Sequence, residues 1–195
     1  MDFEIKRQIV HALGVFSIIL IHIFGKWYAA LLMLLVSLTF LVMGEYRKNK
    51  KKYKLVKIRA LDEFEDKIED EFKTYERESE LPFRGAIMFY MGCFLVTALF
   101  QTEIAIASIA VLSLSDALST VVGTFFGKHK LPINKKKSWE GSTVFFAATL
   151  IILLFFVSPV EAIFIAAVVT IVEMLPRIDD NLSVPLITGI LLWLI

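Results

Sequence analysis

Between Trp27 and Gly44 the chain reads WYAALLMLLVSLTFLVMG, eighteen residues without a charged side chain. A helix that crosses a bilayer needs about 20 mostly apolar residues, with a range near 17–25. This stretch is long enough. Gln8–Gly25 and Gly85–Thr102 are uncharged runs of 18, and Gly141–Val160 is one of 20. Hydrophobic residues make up 57% of the 195, whereas soluble domains average roughly 45–50% even with glycine counted. An ordinary soluble globular enzyme is excluded. The pattern predicts an all-α polytopic membrane helix bundle of about seven transmembrane helices: Ile9–Phe24, Trp27–Met43, Gly85–Phe100, Ile104–Phe126, Val144–Val157, Ala162–Leu175 and Val184–Ile195. We read residues 1–195 as one integral membrane domain. A polar insertion over 45–84 separates the second and third spans.

The formal net charge is +1, so no global field draws a polyanion, and nothing points to nucleic acid. The single cysteine, Cys93, allows no disulfide within the chain and no cysteine-based zinc site. Lys6 and Arg7 precede the first apolar run as in a signal peptide, but no small-residue cleavage site follows. A retained first helix is the expectation. With the N-terminus in the cytosol, twenty of the 21 Lys and Arg fall on the cytosolic side and only Lys26 falls outside, the bias that orients membrane proteins. The insertion opens with the basic run Arg47–Lys52, suited to anionic membrane lipids. Leu61, Phe64, Ile68, Phe72 and Tyr75 follow at helical spacing, an amphipathic face for the membrane surface, the bundle or a second copy in a homodimer.

Ionisable groups inside spans cost about 2.5–3.5 kcal/mol each and mark functional positions. Asp116 in the fourth span and Glu173 in the sixth stand out. Asp116, Thr120, Gly123 and Gly127 share one helical face, with Ser119 beside them. The loop beyond carries five lysines in ten residues, Lys128, Lys130, Lys135, Lys136 and Lys137. It ends at Ser138, a good N-cap for the next helix. Lysines gathered at a helix N-terminus make a polyanion site, and a triphosphate is its natural ligand. It is not a Walker A loop, because the glycines are one residue too close and His129 stands where Ser or Thr should be. The last loop brings Glu173, Arg177, Asp179 and Asp180 to the same side, as does the start of span one with Arg7 and His11. Carboxylates facing phosphate-binding lysines imply Mg²⁺, which takes one or two carboxylates plus phosphate oxygens. Asp116 lies eleven residues before Gly127, about 16 Å deep in a straight helix, so a funnel or helix interruption is expected near Gly123–Gly127.

Three segments, Asp116-Ala-Leu-Ser-Thr-Val-Val-Gly123-Thr-Phe-Phe-Gly127-Lys128-His129-Lys130, Lys136-Lys137-Ser138-Trp139-Glu140-Gly141 and Glu173 to Pro185 through Asp180-Asn181, together resemble the CTP-dependent lipid-alcohol kinases. That family includes dolichol (polyprenol) kinase, phytol kinase and the CTP-using diacylglycerol kinase of yeasts, and is related to the phosphatidate cytidylyltransferases. The resemblance covers Ser113 to Pro185, with Arg7 and His11 in the first helix. The chain has Ser115 where the family often has Gly, Ser119 where Ala is usual, and Gln8 where a Lys commonly follows the Arg.

The resemblance implies transfer of the γ-phosphate of CTP to a long-chain isoprenoid or other lipid alcohol, giving a lipid monophosphate and CDP. It implies Asp116, Glu173, Arg7 and His11 as catalytic residues. Gly123, Gly127, Lys128, Lys130, Lys136, Lys137, Ser138, Glu140 and Gly141 would bind the nucleotide, and Asp116 and Asp180 the metal. A cytidylyltransferase acting on a lipid phosphate is the nearest alternative. A membrane transporter and a non-catalytic scaffold are more distant ones.

Overall fold

The computed structural model describes residues 13–49, 82–176 and 179–195. The Arg7, His11 and Arg177 expectations, and the amphipathic stretch from Leu61 to Tyr75, lie outside the described residues. Within them the chain is all-helical. A short 3₁₀ turn, Leu13–Val15, leads into α1 (Phe16–Phe24), followed by α2 (Lys26–Lys48) and α3 (Arg84–Leu99). A long rod then runs Thr102–Phe125, made of α4 (Thr102–Ala110), a π-helical segment Val111–Ser115 and α5 (Asp116–Phe125). Three helices complete the bundle: α6 (Trp139–Leu153), α7 (Pro159–Met174) and α8 (Asp180–Leu194).

Each helix overlaps one of the seven predicted spans. Two of the rods, Lys26–Lys48 and Thr102–Phe125, are long and apolar enough to cross a membrane. The other described helices fall short of that length, so two of the about seven predicted spans meet it. The insertion was expected to begin at Glu45, yet α2 continues through Lys48. Charged side chains end the apolar count but do not stop a helix whose flank is solvated.

Local chemistry sets the breaks. Gly25 takes φ +78 between α1 and α2, a backbone region that side chains disfavour, so one residue joins two helices. The Lys26 ammonium donates to Phe100 O at 2.5 Å, capping the C-terminal end of α3 where cations are favoured. Pro159 opens α7 in the first-turn position that tolerates proline. Ser158 N donates to Glu161 Oε2 at 2.9 Å in the same turn.

The Thr102–Phe125 rod is the central post, touched by α1, α3, α6 and α8 through its three segments. Phe145, Ile109, Leu112, Ile165, Val169 and Val184 fill the interior around it, all fully or almost fully buried. Asp116 lies within this rod, in electrostatic reach of Lys137 from the α5–α6 loop and of Glu173 near the end of α7.

Candidate active site

Asp116 is the first residue of α5, directly after the π segment, and is only 8% exposed. Ser119 Oγ donates back to Asp116 O at 3.0 Å. The small-residue face beyond it is covered rather than open. A Cβ added to Gly141 would lie 2.9 Å from Ser119 O and 3.3 Å from Gly123 Cα, and one on Gly127 would lie 2.5 Å from Ser138 Oγ. Gly123 and Gly127 thus let the start of α6 press onto α5. Their expected place was against the nucleotide; the contact their missing side chains permit is with Ser138 and Gly141. The helix ends at Phe125, inside the Gly123–Gly127 window where a funnel or interruption was expected. A second irregularity, the π segment Val111–Ser115, lies on the other side of Asp116.

The α5–α6 loop doubles back as a narrow hairpin. Lys130 and Ser138 form an isolated antiparallel bridge, Leu131 N donates to Lys137 O at 3.1 Å, and Trp139 N to His129 O at 2.9 Å. Ser138 caps α6 as expected, accepting from Gly141 N at 3.2 Å. Glu140 braces the other strand of the loop. Its Oε1 accepts from Lys128 N and His129 N at 3.2 Å each and lies 2.7 Å from His129 Nδ1. Hydrogen bonding from its own backbone and from the His129 ring holds the Glu140 carboxyl down at about 2. Glu140 is therefore turned onto its own loop.

This wiring sorts the lysines. Lys128, Lys130, Lys135 and Lys136 are exposed, whereas Lys137 turns inward. Its Nζ donates to Glu173 O and Glu173 Oε1 at 2.6 Å each and to Asp180 Oδ2 at 3.0 Å. An ammonium has three N–H groups, so all three have protein acceptors. Burial alone would lower the Lys137 pKa, but attraction to Asp180, Glu173 and Asp116 outweighs it, and the net shift is upward. Asp116 thus sits within the field of the same ammonium as the two carboxylates from α7 and α8. Lys137 was expected on the nucleotide; here it is the counter-ion of the acidic cluster.

Glu173 is 3% exposed, and Ser142 Oγ donates to its other oxygen at 3.2 Å. Asn134, also buried, donates to Met174 O at 3.2 Å, pinning the hairpin to the end of α7. Asp179 accepts from Arg84 Nε at 3.4 Å. Burial and the neighbouring Asp180 charge raise the Asp179 carboxyl, and Arg84 only partly offsets them. Ser142 and Asn134 were not foreseen. Ser142 lies one turn after Ser138, a spacing that signals a shared face; the Asn134 contact depends on the loop's fold and carries no sequence signal.

No family model matches the chain, and no solved structure matches it. Among curated proteins it is 30% identical over 142 residues to a probable phytol kinase of Triticum aestivum, covering 63% of this chain and 47% of that one. It is 40% identical over 67 residues to the CTP-dependent diacylglycerol kinase 1 of Schizosaccharomyces pombe, covering 34% and 31%. The chain is a relative of the CTP-dependent lipid kinases. It spans about half the length of the phytol kinases it matches. An uncharacterized protein of Rickettsia prowazekii is 28% identical across 95% of this chain and 91% of its own. The lipid kinase resemblance read from the Asp116, Lys136–Gly141 and Glu173–Asp180 segments therefore holds.

Proposed function

We propose that this chain transfers the γ-phosphate of CTP to the hydroxyl of a lipid alcohol of the long-chain isoprenoid class (phytol, polyprenol or dolichol), giving a lipid monophosphate and CDP. The observation that carries the reading is the gathering of Asp116, Glu173 and Asp180 around the Lys137 ammonium, beside a hairpin with exposed lysines. Phosphoryl transfer requires little covalent chemistry from the protein and much positioning and charge neutralisation.

Lys128, Lys130 and Lys136 receive the phosphates at the rim, together with the α6 N-terminus. Asp116 or Glu173 orients the lipid hydroxyl and takes its proton, while the new O–P bond forms and the bond to CDP breaks. Lys137 holds Glu173 and Asp180 in register and limits their mutual repulsion. Arg7 and His11 join the catalytic group on this reading.

The reading includes Mg²⁺ on chemical grounds alone: carboxylate oxygens are hard ligands, and this metal takes one or two of them and completes its shell with phosphate oxygens and water. Among the described residues no group of three or more His, Cys, Asp or Glu is placed to hold an ion by itself. Asp116 and Asp180 would hold it, and it would neutralise charge on the transferring phosphate.

A lipid acceptor explains the apolar exterior. Leu31, Leu35, Val42, Phe155, Phe164 and Trp193 are all exposed, a larger apolar surface than a water-soluble monomer tolerates. We place the bundle in a membrane with several crossings, the acceptor's tail in the bilayer and the site on the cytosolic face. Incubation of purified protein with CTP and lipid alcohols tests the assignment. CDP as the leaving product supports it; pyrophosphate release with a CDP-lipid product would overturn it in favour of cytidylyl transfer.

A further inference from the structure

Two side chains of the α5–α6 loop reach the C-terminal end of α7. The last four carbonyls of a helix have no partner within it. On α7, Glu173 O accepts from Lys137 Nζ at 2.6 Å and Met174 O accepts from Asn134 Nδ2 at 3.2 Å. The helix dipole favours a cation at this end. The hairpin thereby caps the helix that carries Glu173.

Asn134 is the hub of that docking, and it is only 8% exposed. Its backbone joins two successive tight turns: Asn134 N donates to Leu131 O at 3.3 Å, and Asn134 O accepts from Lys137 N at 3.0 Å. Pro132 suits the second position of the first turn, and Asn suits the first position of the second. The side chain then works in two directions. Its Oδ1 accepts from Lys136 N at 3.3 Å, the local bond that Asn makes to the backbone two residues on. Its Nδ2 makes the bond to α7. A side-chain amide offers both an acceptor and a donor, whereas an aspartate offers acceptors alone.

Lys136 and Lys137 leave this turn differently, the first into solvent and the second onto Glu173 and Asp180. We infer that Asn134 is a positioning residue for the phosphate-binding hairpin: it seats the loop on α7, so that Lys136 faces the nucleotide while Lys137 stays on the carboxylates. The Lys130–Ser138 bridge sets the register of the strand, and the Asn134–Met174 bond holds that register against the acidic cluster. Without the bond, the loop is free to lift from α7, Lys136 loses its aim and Lys137 follows the loop outward. The inference rests on the lipid-kinase reading for the ligand of Lys136; the seating of Lys137 does not depend on it.

The test uses the full chain in phosphatidylcholine nanodiscs, with CTP and phytol as substrates. Asn134→Asp keeps the acceptor for Lys136 N and removes the donor to Met174 O; Asn134→Ala removes both and adds no charge. Each should raise the KM for CTP about 3–10-fold, the worth of one hydrogen bond, and leave the KM for phytol unchanged. General destabilisation lowers the active fraction, and with it the apparent kcat, but moves neither KM. Reductive methylation read by mass spectrometry should modify Lys136 and spare Lys137 in the parent, and should modify both in the variants. A CTP KM within about twofold of the parent, with Lys137 still spared in both variants, would overturn the inference. If the parent phosphorylates no alcohol yet the variants release Lys137 to methylation, the seating stands and the kinase reading falls.

Discussion

Replacing Lys137 with Met removes a cation while keeping most of the aliphatic volume. Lys137 is 22% exposed and its partner Glu173 only 4%, so the variant leaves a carboxylate buried without its counter-ion. Breaking a buried pair from one side costs about 3–5 kcal/mol. The partial exposure of Lys137 puts this case at the lower end, and the Asp180 arm, 35% exposed, adds under about 1 kcal/mol. Lys137→Met should therefore destabilise by about 3 kcal/mol, a fall of roughly 6–12 °C in thermal midpoint for a chain of this size. Tryptophan fluorescence of the purified protein in detergent micelles reads it. Adding Glu173→Gln removes the stranded charge and should recover at least half of the loss, the signature of direct coupling. The pH dependence has a definite sign. The Lys137 pKa is raised above its ordinary value of 10.5, so its contribution is complete below that value and disappears only as pH climbs beyond it. A midpoint within about 2 °C of the parent, or no recovery in the double variant, would refute the view that Lys137 is the cluster's counter-ion.

Gly141→Ala places a methyl group 2.9 Å from Ser119 O and should cost about 1–3 kcal/mol through overpacking, visible as a lower thermal midpoint. Glu140→Gln should speed amide hydrogen exchange at Lys128 and His129, the two N–H groups its carboxylate accepts. Because the folded Glu140 pKa is depressed to about 2 from 4.5, its brace should be intact above pH 4.5 in the parent. Exchange protection corrected for intrinsic rate should be lost as pH falls toward 2.

The helical rods were legible because uncharged runs of 18–20 residues have few alternatives in a bilayer, and each run begins or ends within a few residues of a helix. The N-cap at Ser138 was legible for the same local reason. What the sequence concealed was long-range. Five lysines in the α5–α6 loop look alike; only the Lys130–Ser138 bridge decides that Lys137 turns inward while Lys136 faces out. The Gly123–Gly127 stripe shows that something approaches closely, but does not distinguish a ligand from the start of α6. The π segment Val111–Ser115 contains no proline or glycine, so neither turn chemistry nor periodicity marks it.

Label transfer from CTP carrying ³²P at the γ-position tests the central proposal most directly, comparing the parent chain with Asp116→Asn under matched folding. The account predicts that the parent deposits label in the phytol or polyprenol fraction. Asp116→Asn should lose at least about a hundredfold of that rate, the scale of a positioned acid–base or charge-neutralising group. Undiminished transfer by Asp116→Asn, or no lipid label from a folded parent with any alcohol, would contradict it.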